Sequence, residues 1–366
     1  MPRILLLSWL ALGVTTFGQA GSGTLVRPFP NEPVIDDVNW FARPVPDPRG
    51  HKVVAFASHN LNYLYDLTTG QRIRIPDRSD AVATPDARYI TVPSHYTENH
   101  TINFYELRPL MKRLQEGRDA ADQKPAFVHE SPDVYDVYYQ SVGVLSRQEA
   151  NGEVRTVYRM MFSGSHKPAP PGFRVVDYEF IEAGGKLTVR PTRPMRLCPE
   201  IVRDMATPFI SKDGRLVVAH DDGQSNRPPS LKVFEIVATN PDQQMTSCRQ
   251  VFDLGFPAGK ADFSYDGTRL TFHVATYDYL AAFIDGGLKP PIMTDVIVAD
   301  LVLKDGRITG YSKLTRVTQT TRQGTGSYFP AFFPDGSLFY ISNAVPKTDP
   351  GAKRFTFTVT TVPRGH

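Results

Sequence analysis

Apolar and polar residues alternate in short runs along most of this chain, and the runs recur in similar groups. "RLVVAHD" (215–221), "TRLTFHVA" (268–275) and "SLFYISN" (337–343) alternate with the period of a strand that has two unlike faces. An aromatic-containing segment ending in Asp-Gly precedes each of them: "TPFISKDG" (207–214), "ADFSYDG" (261–267) and "YFPAFFPDG" (328–336). Asp-Gly between alternating runs predicts a tight reversal, so each group reads as a β-hairpin. Weaker copies lie upstream at "VPDPRGHKVVAFAS" (45–58) and "TPDARYITVPSH" (84–95), the latter with Ala87 in place of the glycine.

A third alternating strand follows each hairpin: "LNYLYDL" (61–67), "INFYEL" (102–107), "LKVFEI" (231–236), "DVIVADL" (295–301) and "FTFTVTTV" (355–362). Several groups add a fourth strand, as at "QRIRIP" (71–76), "RQVFDL" (249–254) and "KLTRVT" (313–318). Four strands repeated every forty to seventy residues is the pattern of a propeller blade. Alternating segments at 142–146, 154–163, 173–181 and 186–190 make a degenerate third blade, spanning about 130–195, and bring the count to six. The expected fold is therefore an all-β, six-bladed β-propeller of four-stranded antiparallel blades, one domain over 21–366. Helical periodicity is confined to "ELRPLMKRLQEGRDAADQ" (106–123), expected as a surface helix in the link between the second and third blades. The last blade ends at its third strand, so the stretch around 23–30 is expected to add the outer one and close the ring.

The first twenty residues stand apart from this pattern. Arg3, the apolar run "ILLLSWLALGVTTF" and the small residues before Ala20 predict a signal peptide cleaved near Ala20. The run is shorter than the ~20 residues of a spanning helix, which is the competing reading. No other segment is long and apolar enough to span a bilayer, so the mature chain is expected to be exported, periplasmic or secreted, with no transmembrane segment. Export changes the reading of Cys198 and Cys248, the chain's two cysteines. In an oxidising compartment they predict one disulfide, worth on the order of 4 kcal/mol for a loop of that length, against the alternative of two buried thiols. Charge is nearly balanced, 41 basic against 38 acidic residues in 366. With no basic runs interleaved with aromatics, nucleic acid is excluded as a partner.

"PAFFPDGSLFYISN", "ADFSYDGTRLTFHVA" and "PFISKDGRLVVAHD", together with "LTRVT" ending a blade, resemble the repeats of TolB-like, WD-repeat-like periplasmic β-propellers. The likeness covers most of residues 40–362 and is weakest in the third blade. It extends to the propeller portion only, because TolB carries an additional N-terminal α/β domain for which this sequence shows no counterpart. The resemblance implies fold and compartment more than the TolB function.

It also implies where a site would be. In TolB-like blades the loop after the second strand and the approach to the first lie on one face, around the mouth of a central funnel. By that alignment the second strands end at Ser58, His95, Asp221 and Asn343, with His59, His220 and Asp222 beside them. The approaches to first strands supply Asp80, Asp204, Lys260 and Tyr328. His95, Asp204, His220, Asp221, Lys260, Tyr328 and Asn343 thus form a candidate binding rim, with the polar ends of ordinary strands as the alternative. The insertion "YDYLAAFIDGGLKPPIM" (277–293) places Tyr277, Tyr279 and Phe283 on the same face, either as a partner loop or folded back on its blade.

Catalytic signatures are sparse. GxSxG, P-loop, GxGxxG and CxxCH patterns are absent. His95, His220 and Asp221 suit zinc or manganese chemically, and "HDDGQSN" (220–226) offers oxygen ligands for calcium, yet neither has a metal-site spacing. No cofactor is predicted, although a divalent metal (Ca, Mn or Zn) fits the donor types. The leading expectation is a non-enzymatic binding or scaffolding module in a cell-envelope assembly, with an envelope protein or glycan as partner. The alternative is a metal-assisted polysaccharide lyase or hydrolase on the funnel face.

Overall fold

A computed structural model describes residues 33–36, 38–78, 80–93, 101–130, 138–164, 172–199, 208–220, 230–255, 258–275, 294–320, 326–343 and 354–364. Short antiparallel strands dominate them. After β1 (Val34–Ile35), a first meander comprises β2 (Val38–Val45), β3 (Val53–Ser58), β4 (Leu61–Asp66) and β5 (Gln71–Arg74). A second comprises β6 (Val82–Ala83), β7 (Tyr89–Pro93), β8 (Thr101–Glu106) and, beyond helix α1 (Leu107–Glu116), β9 (Phe127–Glu130). The third is β10 (Tyr138–Ala150), β11 (Glu153–Gly164), β12 (Gly172–Ala183) and β13 (Lys186–Pro191). After β14 (Met195–Arg196) comes the fourth: β15 (Phe209–Ile210), β16 (Leu216–His220), β17 (Leu231–Asn240) and β18 (Met245–Asp253). The fifth is β19 (Gly259–Phe263), β20 (Arg269–Ala275), β21 (Thr294–Lys304) and β22 (Arg307–Arg316). The sixth is β23 (Ser327–Phe332), β24 (Leu338–Asn343) and β25 (Phe355–Thr360), whose outer edge is taken by β1.

These meanders form five hydrogen-bonded sheets, not the six separate ones expected, because one sheet has nine strands. The cause is local. β13 covers only the Tyr178–Ala183 half of β12, and β14 fills the open half by pairing with Arg174 and Val175. On its other side Arg196 pairs in parallel with Met245 of β18, and the Cys198–Cys248 disulfide, with Cα atoms 5.6 Å apart, fastens the same crossing. The connection between the third and fourth meanders is therefore stitched to both.

The Asp-Gly reversals are stabilised by the aspartate. In the fifth meander Asp266 accepts hydrogen bonds from Ser264 Oγ (2.6 Å) and from the Thr268 N–H (3.0 Å), while the Gly267 N–H donates to Ser264 O (3.1 Å). Gly267 sits at φ 66°, where a Cβ is disfavoured. Ser211 and Asp213 repeat the arrangement, as do Thr84 and Asp86, and Asp335 performs it with Ser337. Ala87 occupies the glycine position of the second meander at φ 61°.

Contacts between meanders run in closed order. β2 touches β6, β6 touches β10, β10 touches β15, β15 touches β19, β19 touches β23, and β23 returns to β2. The recurring aromatics Phe209, Phe263 and Phe332 are each 1% exposed and pack where meanders meet. Closure uses Val34 and Ile35 opposite Thr356 and Phe355. The N-terminal segment thus supplies the outer strand, a few residues beyond the 23–30 stretch, which lies outside the described residues.

The helix forms where its periodicity predicts, but within the second meander, between β8 and β9. Its buried face, Leu107, Leu110, Met111 and Leu114, joins a core with Leu64, Ile73 and Ile75 of the first meander. Pro109 is tolerated in the first turn, whose N–H groups lack intrahelical acceptors, and Gly117 closes the last turn at φ 65°. The helix therefore does not lie in the expected link between the second and third meanders: β9, the strand that follows it, is only four residues long and shows no run of alternation.

Candidate functional site at the centre of the ring

The inner strands share an irregularity. In β10, β19 and β23 two residues oppose one on the neighbouring strand, and β2 shifts register between Val38 and Ala42. Such bulges re-aim side chains. In β19 and β23 a non-glycine residue takes up the strain at positive φ, Lys260 at 49° and Phe329 at 48°. These two side chains meet, with Lys260 Nζ 5.3 Å from the Phe329 ring centroid.

Other meanders contribute to the same region. Arg43 of β2 lies over the Phe209 ring of β15 at 4.2 Å. The carboxylates of Asp262 and Asp80 both act on Arg43, and Asp80 also acts on Lys260. Asp262 is held on both oxygens, accepting from Lys212 Nζ (2.7 Å) and from the Phe332 N–H (3.0 Å). Gln140 of β10 donates to Thr91 O at 3.0 Å and also to Asp80 O.

Burial governs the charges. Arg43 and Lys260 are only 6% and 4% exposed. Desolvation pushes the Lys260 amine well below the ordinary lysine value, the Arg43 charge adds to that, and Asp80 opposes it. Desolvation also lowers Arg43, against the pull of Asp262 and Asp80. The arrangement is a knot of cations and carboxylates from at least four meanders, floored by aromatic rings.

Of the residues expected on the rim, Lys260 and Tyr328 have described side chains. Lys260 belongs to the knot. Tyr328, 1% exposed, is packed against His273 and Phe355, with ring centroids 6.3 Å from each, and so belongs to the core between the fifth and sixth meanders. His220 and Asn343 end β16 and β24, pairing with Leu231 and Phe355 through their backbones. Ser58 Oγ donates to Asp36 O (2.7 Å), and His59 is the first residue of a two-residue turn at φ 48°. His95, Asp204, Asp221, Asp222, Tyr277, Tyr279 and Phe283 lie outside the described residues. Among the described residues no group of three or more His, Cys, Asp or Glu side chains is placed to hold a metal.

Arg43, Gln140, Lys212 and Asp262 were not anticipated. Their signal is a charged or amide side chain in or beside an inner strand buried on both faces, as in "FARPV" and "GKADF". Such residues need partners across the fold.

No family model matches the chain, and no curated protein matches it. Solved structures with similar coordinates include TolB-like and other β-propeller proteins. TolB from Acinetobacter baumannii is 13% identical with a TM-score of 0.40, over 87% of this chain and 63% of that one, so the match spans less than two thirds of the longer protein. A putative TolB from Agrobacterium tumefaciens is 13% identical with a TM-score of 0.42, over 91% of each chain. The β-propeller domain of the Trilobed protease from Pyrococcus furiosus is 11% identical with a TM-score of 0.37, over 88% of this chain and 82% of that domain. At these scores the architecture rests on the strand pairing and not on the likenesses.

Proposed function

We propose that the six meanders are the blades of one closed β-propeller, exported after removal of residues 1–20, that serves as a rigid binding or scaffolding module in a cell-envelope assembly. The observation that carries this reading is topological. The second strands β7, β16, β20 and β24 end at Pro93, His220, Ala275 and Asn343, and their third strands resume at Thr101, Leu231, Thr294 and Phe355. The strand ends that flank these connections lie at one end of their meanders, since alternate turns of a meander share an end. His95, Asp221, Tyr277, Tyr279 and Phe283 all fall within those connections, and His220 and Asn343 adjoin them. Long connections on a rigid ring are where binding residues concentrate.

Export is supported by the Cys198–Cys248 bridge, which persists in oxidising compartments. No helix among the described residues is long and apolar enough to cross a membrane. The partner is an envelope protein or a glycan met through the aromatic residues of the 277–293 connection. Photocrosslinking in intact cells tests this reading. A crosslinker at position 279 or 95 should give a discrete envelope adduct, while one at Asp213, at the opposite end, should not. Equal adducts from both ends, or retention of the whole chain in the cytoplasm, would overturn it.

A further inference from the structure

The fourth and fifth meanders enclose a cleft of about 670 Å³, within the usual range for small-molecule sites. It opens at the end carrying the Asp-Gly turns. Both turns line it, along with the β21–β22 hairpin, so it is separate from the connections invoked above.

Its hydrogen-bonding capacity is lopsided. The carboxylates in its wall are committed: Asp213 to Ser211 Oγ and the Arg215 N–H, Asp266 to Ser264, Thr268 and Arg364, and Glu235 to Arg249. Lys212 is likewise committed to Asp262. Arg215 and Arg307 also line the cleft, one from each meander, and their guanidinium groups form no ion pair with any described residue. Tyr265 adds a phenol whose ionisation is pushed up by burial and by the charges of Asp262 and Asp86, which keeps it a donor.

Leu216, Val251, Leu303 and Ile308 supply apolar wall, with Leu303 48% exposed, and Gln250 and Thr309 add two uncharged polar groups. Two guanidinium groups without a carboxylate partner among the described residues, beside apolar surface and next to carboxylates that each already hold a donor, favour an anion that carries an apolar body.

We propose that this cleft binds an amphipathic organic anion, a carboxylate on an apolar chain or ring, with Arg215 and Arg307 taking the carboxylate and Leu303 covering the apolar part. The site is independent of the envelope partner.

The probe is 8-anilinonaphthalene-1-sulfonate, an aromatic anion, titrated by fluorescence onto the whole chain, with decanoate and decanol as competitors. One saturable equivalent is expected, displaced by decanoate and not by decanol. An Arg215→Gln/Arg307→Gln variant should bind at least about tenfold more weakly, as expected for two lost charge-assisted hydrogen bonds. Both arginines are exposed, so its melting temperature should be unchanged. An Arg108→Gln/Lys112→Gln variant on the helix controls for general charge and should bind normally. Unchanged affinity in the arginine variant, equal loss in the helix variant, or displacement by decanol as readily as by decanoate would overturn the proposal.

Discussion

The third and fifth meanders reverse their inner strands by different means. In the fifth, β19 ends after five residues in a turn held by Asp266. In the third, β10 runs thirteen residues to a turn at Asn151 and Gly152, and the tip from Ser146 to Gly152 is exposed. Where its siblings turn, β10 instead presses on the next meander. A Cβ at Gly143 would lie 2.4 Å from both Ser211 O and Gly214 N, and the Val144 N–H donates to Lys212 O at 2.8 Å. Behind it Tyr158, Tyr178 and Phe180 pack with Tyr89 and Phe104 of the second meander. Both meanders pack on their neighbours, but the regular one reverses its inner strand through contacts within six residues, and the degenerate one carries that strand on across the next meander.

The largest effect is expected where that difference is sharpest. Gly143→Ala drives a methyl group into two backbone atoms of another meander, with no flexible side chain to give way. It should cost more than about 3 kcal/mol, read from denaturant midpoints. An unchanged midpoint would show that the two meanders do not approach so closely. Next comes Tyr178→Phe. It removes the buried bond between Tyr178 Oη and His129 Nδ1 (2.6 Å) and should cost about 1–3 kcal/mol without altering the aromatic packing.

The carboxylate turn predicts a smaller, pH-dependent effect. Burial pushes the Asp266 carboxyl up, but hydrogen bonds from Ser264 and Thr268 and the charge of Arg364 outweigh it and hold it at about 2. A folded value below the unfolded one, about 3.9, adds stability that is complete above the unfolded value and lost as pH falls through the folded one. Asp266→Asn should therefore flatten the loss of stability between about pH 4 and pH 2, followed by thermal melting across that window. A wild-type acid limb in the variant would count against the turn's role. Smallest is Ala87→Gly, which gives the second meander the residue its siblings use. Relief at φ 61° should raise stability by about 1 kcal/mol, and a lower melting temperature would contradict the assigned backbone.

The same contrast explains what could be read from the amino-acid sequence. Strands with strict alternation, including those of the third meander near 142–146 and 154–163, announce themselves, as does the Cys198–Cys248 pair once export is inferred. Two-residue strands do not. Met195–Arg196 is too short for any period, so the seam that fuses two meanders into one sheet was invisible. Asp-Gly is also ambiguous. At 266–267 only the glycine has positive φ, whereas at 305–306 both residues do, because Lys304 pairs with Arg307 across a two-residue hairpin. The dipeptide marks a turn, and the strand register decides which turn. Lys260 was found for its place before a strand, but its meeting with Arg43 depends on a ring closure that no local pattern encodes.

The pairing of Val34 with Thr356 has a consequence for biogenesis. More than three hundred residues separate the partners, so a chain synthesised from its N-terminus delivers one partner first and the other last. Until synthesis ends the edge of β25 does not yet exist, and the early segment has nothing to pair with. Ring closure is therefore the final, highest-contact-order event, and until then the growing protein presents open strand edges to proteases and to its own copies.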